Sequence, residues 1–200
     1  MKEVLFWRLI KYLLIIFTLI LIPVYWRNYG PLNFLWISDI GLFLTVLGLL
    51  FRESLLVSMA IVGAMVTELV WCVDYFGELF FGINIIDLSD YMFDANYSFG
   101  LRGLSLFHVA MPIIWFLYLI DYGYERRAFW YMTLLYWIMI LITYLFTQPV
   151  ANVNWVFLPL LKPAMGIHPD LWVLLLMIFF PICIFLPTHY VCSRFFKKIL

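Results

Sequence analysis

Six stretches of predominantly apolar residues recur along this chain, over roughly 6–26, 33–51, 54–74, 104–121, 128–147 and 171–191. A run of about 20 such residues is the length that a helix needs to cross the hydrocarbon core of a bilayer. Inside that core the backbone finds no water, so each crossing must close its own hydrogen bonds as a helix. The expected fold is therefore all-α, an integral membrane bundle of six transmembrane helices in which the 200 residues form a single transmembrane domain. Composition agrees: 66% of residues are hydrophobic and 12% charged, against about 45–50% and about 25% in soluble domains. A formal net charge of zero gives no basic surface for nucleic acid, and membrane lipids are the expected partners.

Charge sets the expected orientation. Arg52-Glu53 makes a tight turn between the second and third windows, and Asp121 to Arg127 joins the fourth to the fifth. With six crossings, nine Lys and Arg (Lys2, Arg8, Lys11, Arg52, Arg126, Arg127, Arg194, Lys197 and Lys198) fall on one side, and Arg27, Arg102 and Lys162 on the other. The richer side is cytoplasmic by the positive-inside rule, which places both termini there. No small-x-small cleavage site follows the first window, so it reads as a retained signal anchor. Residues 75–103 and 148–170 then form two outer loops. The first carries Phe76, Phe80, Phe81, Ile83, Ile85 and Ile86 and belongs in the interface. The second, with Pro149, Pro159, Pro163 and Pro169, suits a lid over the outer mouth. Cys72, Cys183 and Cys192 fall at different depths and read as free thiols.

Three ionisable residues interrupt the apolar windows: Asp39, Glu68 and His108. A charge in the membrane costs about 2.5–3.5 kcal/mol on insertion scales, so such residues mark a site. The topology puts all three within about 6–9 Å of the outer boundary at 1.5 Å per residue. His108 is the expected base, with Asp39 or Glu68 orienting its ring. Ser38 and Ser105 are the candidate nucleophiles, with Thr67 and Cys72 behind them. Pro112 lies four residues after His108 and has no N–H, which leaves the His108 carbonyl as a free acceptor at an expected kink. Asn33, Arg102, Asn152, Asn154 and Trp155 form a polar and aromatic set suited to holding a headgroup or sugar. Asp87, Asp90 and Asp94 would share one face of a helix and are weak candidate oxygen ligands for a divalent ion; an N-cap role for Asp87 and a place for Asp90 at the positive end of a short interfacial helix explain them better. No cofactor is expected. His168 and His189 read as loop and interfacial residues. Asn96-Tyr97-Ser98 has the form of a glycosylation sequon.

Several runs carry a resemblance: Gly30 to Asp39, Asp90 to Asp94, Leu101 to His108, Asn152 to Trp155, and Leu186 to His189. Together they resemble a family of uncharacterised bacterial multi-pass membrane-associated proteins. The likeness implies residence in a bacterial inner membrane and no particular activity. Asp39 with His108 and Pro112 is also similar, over two short segments, to the androgen-induced intramembrane hydrolases that cleave fatty-acid esters of hydroxy fatty acids. Those pair a Thr shortly before an Asp with a His preceding a Pro. Here Trp36 stands at the Thr position, Ser38 is the nearest hydroxyl, and the His-to-Pro spacing is one residue shorter. The residues thus point first to a membrane-embedded hydrolase or acyltransferase acting on lipid ester or acyl groups. A lipid- or ion-binding or transport module, or a subunit of a membrane complex, is the alternative.

Overall fold

The computed structural model describes residues 5–197, so Lys2 and Lys198 of the charge count lie outside the described residues. Nine α-helical segments follow one another, joined by short 3₁₀ turns, with no strand among the described residues. Five helical rods are long and apolar enough to cross a membrane: 5–29, 54–81, 99–122, 128–146 and 169–195. The second expected crossing is shorter. Its first residues form a 3₁₀ turn, Pro31–Leu35, and α2 spans only Ile37–Phe51.

α1 (Leu5–Tyr29) flanks the bundle, and α3 (Ser54–Phe81) is its axis. α3 packs against α2, α5 (Phe107–Tyr122), α6 (Ala128–Phe146) and α9 (Leu186–Phe195). Its apolar window is 56% buried, against 28–39% for the other four long rods. Small residues explain why: lipid tails offer helices no hydrophobic drive to associate, so close backbone approach and packing must supply it. Ser58, Ala60, Gly63 and Ala64 line the buried side of α3. A Cβ on Gly48 of α2 would fall 2.5 Å from Val57 Cγ2 of α3. Arg52, in the left-handed region at φ 61°, turns the chain between these two helices, and its N–H bonds to the Gly48 carbonyl.

Three further crossings differ from the expected ones, each for a local reason. α3 continues seven residues past 74, because Tyr75 to Phe81 can remain helical until Gly82 ends the helix at φ 63° with a bond to Glu78 O. The fourth crossing breaks into a short α4 (Phe99–Leu104), capped by the Ser98 hydroxyl, and α5. The last rod comprises α8 (Pro169–Phe179), a π turn at Phe180–Phe185, and α9. Pro187 has no N–H to return to the Cys183 carbonyl four residues earlier, and such gaps are where wide π turns form. Between α6 and α8 lie 3₁₀ turns at Val153–Trp155 and Pro163–Met165 around a one-turn α7 (Leu158–Leu161).

Candidate functional site

The start of α2, the second half of α3 and the start of α5 meet at one end of the bundle, around a cavity of about 370 Å³. Asp39, Glu68 and His108 all line it. Glu68 is 1% exposed and Asp39 2% exposed. Glu68 Oε2 lies 2.5 Å from His108 Nδ1. With the carboxylate accepting from Nδ1–H, the ring is held in the tautomer that leaves Nε2 basic. The imidazole is stacked on Trp71 at 4.6 Å and on Phe107 at 4.2 Å, which fixes its plane as well as its proton.

The second oxygen of Glu68 and Oδ1 of Asp39 are buried and have no hydrogen-bond partner among the described residues. Buried polar atoms are seldom left so. Of the two acids it is Glu68 that bonds to the His108 ring, while Asp39 has no hydrogen bond to it among the described residues. The His108 carbonyl, deprived of its helical donor by Pro112, accepts a hydrogen bond from the Cys72 thiol at 3.4 Å. α5 runs on through Pro112.

The candidate nucleophiles are placed less favourably. Ser105 is 3% exposed and shares a 2.9 Å hydrogen bond with the Tyr25 hydroxyl. Ser38 lines the cavity without a hydrogen bond to His108. The Thr67 hydroxyl is spent on the Ala64 carbonyl at 2.9 Å. No serine, threonine or cysteine among the described residues thus forms the base-nucleophile pair that covalent catalysis needs.

Of the expected binding residues, Asn33 and Trp155 line the cavity. Asn154 does not: fully buried, it accepts from Ile37 N at 3.0 Å and donates to Leu35 O at 2.7 Å. It caps α2 from 117 residues away and pins the second long connection to the helix start. Asn152 accepts from Phe157 N, and Arg102 donates to Met92 O with its guanidinium over the Phe99 ring. Asn152, Asn154 and Trp155 all have positive φ (38°, 51° and 59°). Such backbone persists only where surrounding bonds over-determine it. Here the Trp172 indole donates to Trp155 O at 2.8 Å, and Trp155 meets Trp36 edge-on at 5.4 Å.

The carboxylates of the first connection do not gather. The segment is a loop with a single 3₁₀ turn at Asp90–Met92, so no common helical face exists. Asp87 reaches the cavity wall, Asp90 bonds to Asn84, and Asp94 accepts from Asn96 N. Among the described residues no group of three His, Cys, Asp or Glu could hold a metal ion. His189 bonds to the Tyr124 hydroxyl at 2.9 Å, and His168 accepts from Asp170 N.

Two features escaped the sequence reading. Asp74, fully buried, accepts from the backbone N–H of Ile85, Ile86, Leu88 and Ser89 and from the Ser89 hydroxyl, at 2.8–3.1 Å. It folds the loop that carries Asp87, Leu88 and Tyr91 onto the cavity. A second acid in the same helix, six residues or about 1.7 turns after Glu68, is the available signal. The other is the aromatic wall, made by Tyr25, Tyr29, Trp71, Tyr91 and Tyr97 with Trp36 and Trp155. Burial pushes the Tyr91 phenol above its ordinary range, so it stands as a neutral hydroxyl beside Ser105 and Trp71. The chain matches no family model, no curated protein and no solved structure, so the site is read from its own geometry.

Proposed function

We infer that the protein is a membrane-embedded enzyme that uses His108 as a general base on a lipid ester or acyl group. The observation that carries this reading is the Glu68–His108 contact inside a walled cavity among apolar helices. The nine-to-three split of Lys and Arg supports a cavity facing the outer leaflet of a bacterial inner membrane. The Asp39, His108 and Pro112 likeness to intramembrane ester hydrolases points the same way. Because neither Ser105 nor Ser38 bonds to His108, the attacking oxygen belongs to water or to an acceptor alcohol, not to the protein.

In that reaction His108 Nε2 takes the proton as the oxygen bonds to the ester carbonyl carbon. Glu68 stabilises the imidazolium that forms. The proton then passes to the leaving alkoxide as its carbon–oxygen bond breaks, which restores the neutral ring. The neutral Tyr91 hydroxyl, which lines the same cavity, is a donor available to the oxyanion. With water the outcome is hydrolysis, and with an alcohol it is acyl transfer.

The test is turnover of labelled lipid esters by the purified protein in bilayer discs. General-base catalysis contributes about 10²–10⁴-fold, so His108→Ala should slow turnover by that factor and Glu68→Gln by less. No turnover, or turnover unchanged in His108→Ala, removes the reading.

A further inference from the structure

We propose that this cavity binds an organic ammonium group, held between the Asp39 carboxylate and the faces of the surrounding aromatic rings. The proposal rests on reading the cavity as the functional site, but not on its being catalytic. Among the described residues its walls carry three carboxylates, Asp39, Glu68 and Asp87, against one imidazole, and no Lys or Arg. Glu68 has His108 as its partner. Asp39, 2% exposed, presents an oxygen to which no described residue donates. A buried oxygen of that kind is ordinarily hydrogen-bonded, so the partner it lacks among the described residues is a donor from outside, and an ammonium group supplies both the N–H and the charge that would hold Asp39 ionised.

The rings decide what kind of cation. Four tyrosines and three tryptophans line the same cavity. Indole and phenol faces attract ammonium groups through their quadrupoles, and they do so best where water is excluded. A cavity of about 370 Å³ is far larger than a metal ion needs, and no three-ligand metal cluster exists among the described residues. The same wall repels phosphate, so a zwitterionic headgroup would leave its phosphate at the mouth. Both a lipid headgroup and a free amine offer the required chemistry.

Two measurements test this on the full chain in detergent or bilayer discs. First, choline and ethanolamine are titrated against the melting temperature and tryptophan fluorescence, beside 3,3-dimethylbutan-1-ol, the uncharged isostere of choline. Second, native mass spectrometry reads the lipid retained from bilayers holding equal phosphatidylethanolamine, phosphatidylcholine and phosphatidylglycerol. An ammonium probe should bind at least about tenfold more tightly than the isostere, the factor that one charge-assisted contact supplies. Asp39→Asn should remove that preference. Trp36→Leu should weaken it while keeping the carboxylate, which guards against misfolding of the Asp39 variant. Enrichment of the aminolipids identifies a headgroup, whereas binding of the free amines alone identifies a soluble ligand. Equal binding of choline and its isostere together with no aminolipid enrichment, or a preference unaltered in both folded variants, overturns the proposal. His108→Ala separates the two readings, because it should slow turnover by about 10²–10⁴-fold and retain ammonium binding. Turnover of neutral esters without ammonium binding would leave the enzyme standing and this proposal refuted.

Discussion

At the scale of single residues, polar side chains here do two different jobs that look alike in sequence. Glu68 and Asp74 both lie on α3, six residues apart and both buried. Glu68 faces His108 and has one oxygen free, whereas both oxygens of Asp74 are consumed by the loop behind it. Asp74→Ala should therefore destabilise the protein by roughly 2–3 kcal/mol, since several N–H groups lose a charged acceptor at once. Hydrogen exchange at Ile86, Leu88 and Ser89 should rise with it, and unchanged protection there would show that other bonds hold the loop. Asn154 makes the complementary case. It was legible as a polar residue in a site but not as a cap, because its partners at 35 and 37 are brought to it only by the fold. Asn154→Ala should lower stability by about 1–3 kcal/mol, read as a lower Tm. If Tm does not move, the cap is not what anchors this loop.

At the scale of elements, close approach of helices depends on where a side chain is missing. Beside Gly48, a Cβ would meet Val57 Cγ2 at 2.5 Å and the Val57 backbone nitrogen at 3.0 Å, and backbone cannot rotate away. Gly48→Ala should cost about 1–3 kcal/mol through overpacking. Nothing lies within 4 Å of a Cβ at Gly100, so Gly100→Ala is the matched control. Equal thermal unfolding of the two variants would rule out the tight α2–α3 seam. Helix existence was readable from apolar length, and so was the Arg52-Glu53 turn. Helix ends were less so: α3 outran its apolar window because Tyr75 to Phe81 suit a helix as well as an interface. The π turn required knowing how two prolines, Pro181 and Pro187, share one rod.

At the scale of the whole molecule, the short α2 bears on topology. Fifteen residues span about 22 Å at 1.5 Å each, less than the roughly 30 Å of hydrocarbon. The preceding 3₁₀ turn, Pro31–Leu35, lengthens the segment, so six crossings and two cytoplasmic termini stay the expectation. Reporter fusions at either terminus should be active only with a cytoplasmic reporter. Termini on opposite sides would leave five crossings and place α2 in the interface. The cavity would keep its geometry in that event, but its assignment to the outer leaflet would be lost.

Apolar run length and residue type alone determine an all-α chain, suited to a bilayer, with two acids and an imidazole inside it, because burial of uninterrupted hydrophobic surface leaves helices few alternatives. Which acid meets the imidazole is decided by how α3 turns against α5, through contacts 40 residues apart in sequence. The aromatic wall is likewise a product of the fold, since α1, Trp36 just before α2, α3 and two loops each contribute rings whose sequence neighbours give no hint of a common cavity. Distances between side chains on different helices depend on packing angles and caps, and those are set only when all the elements are in contact.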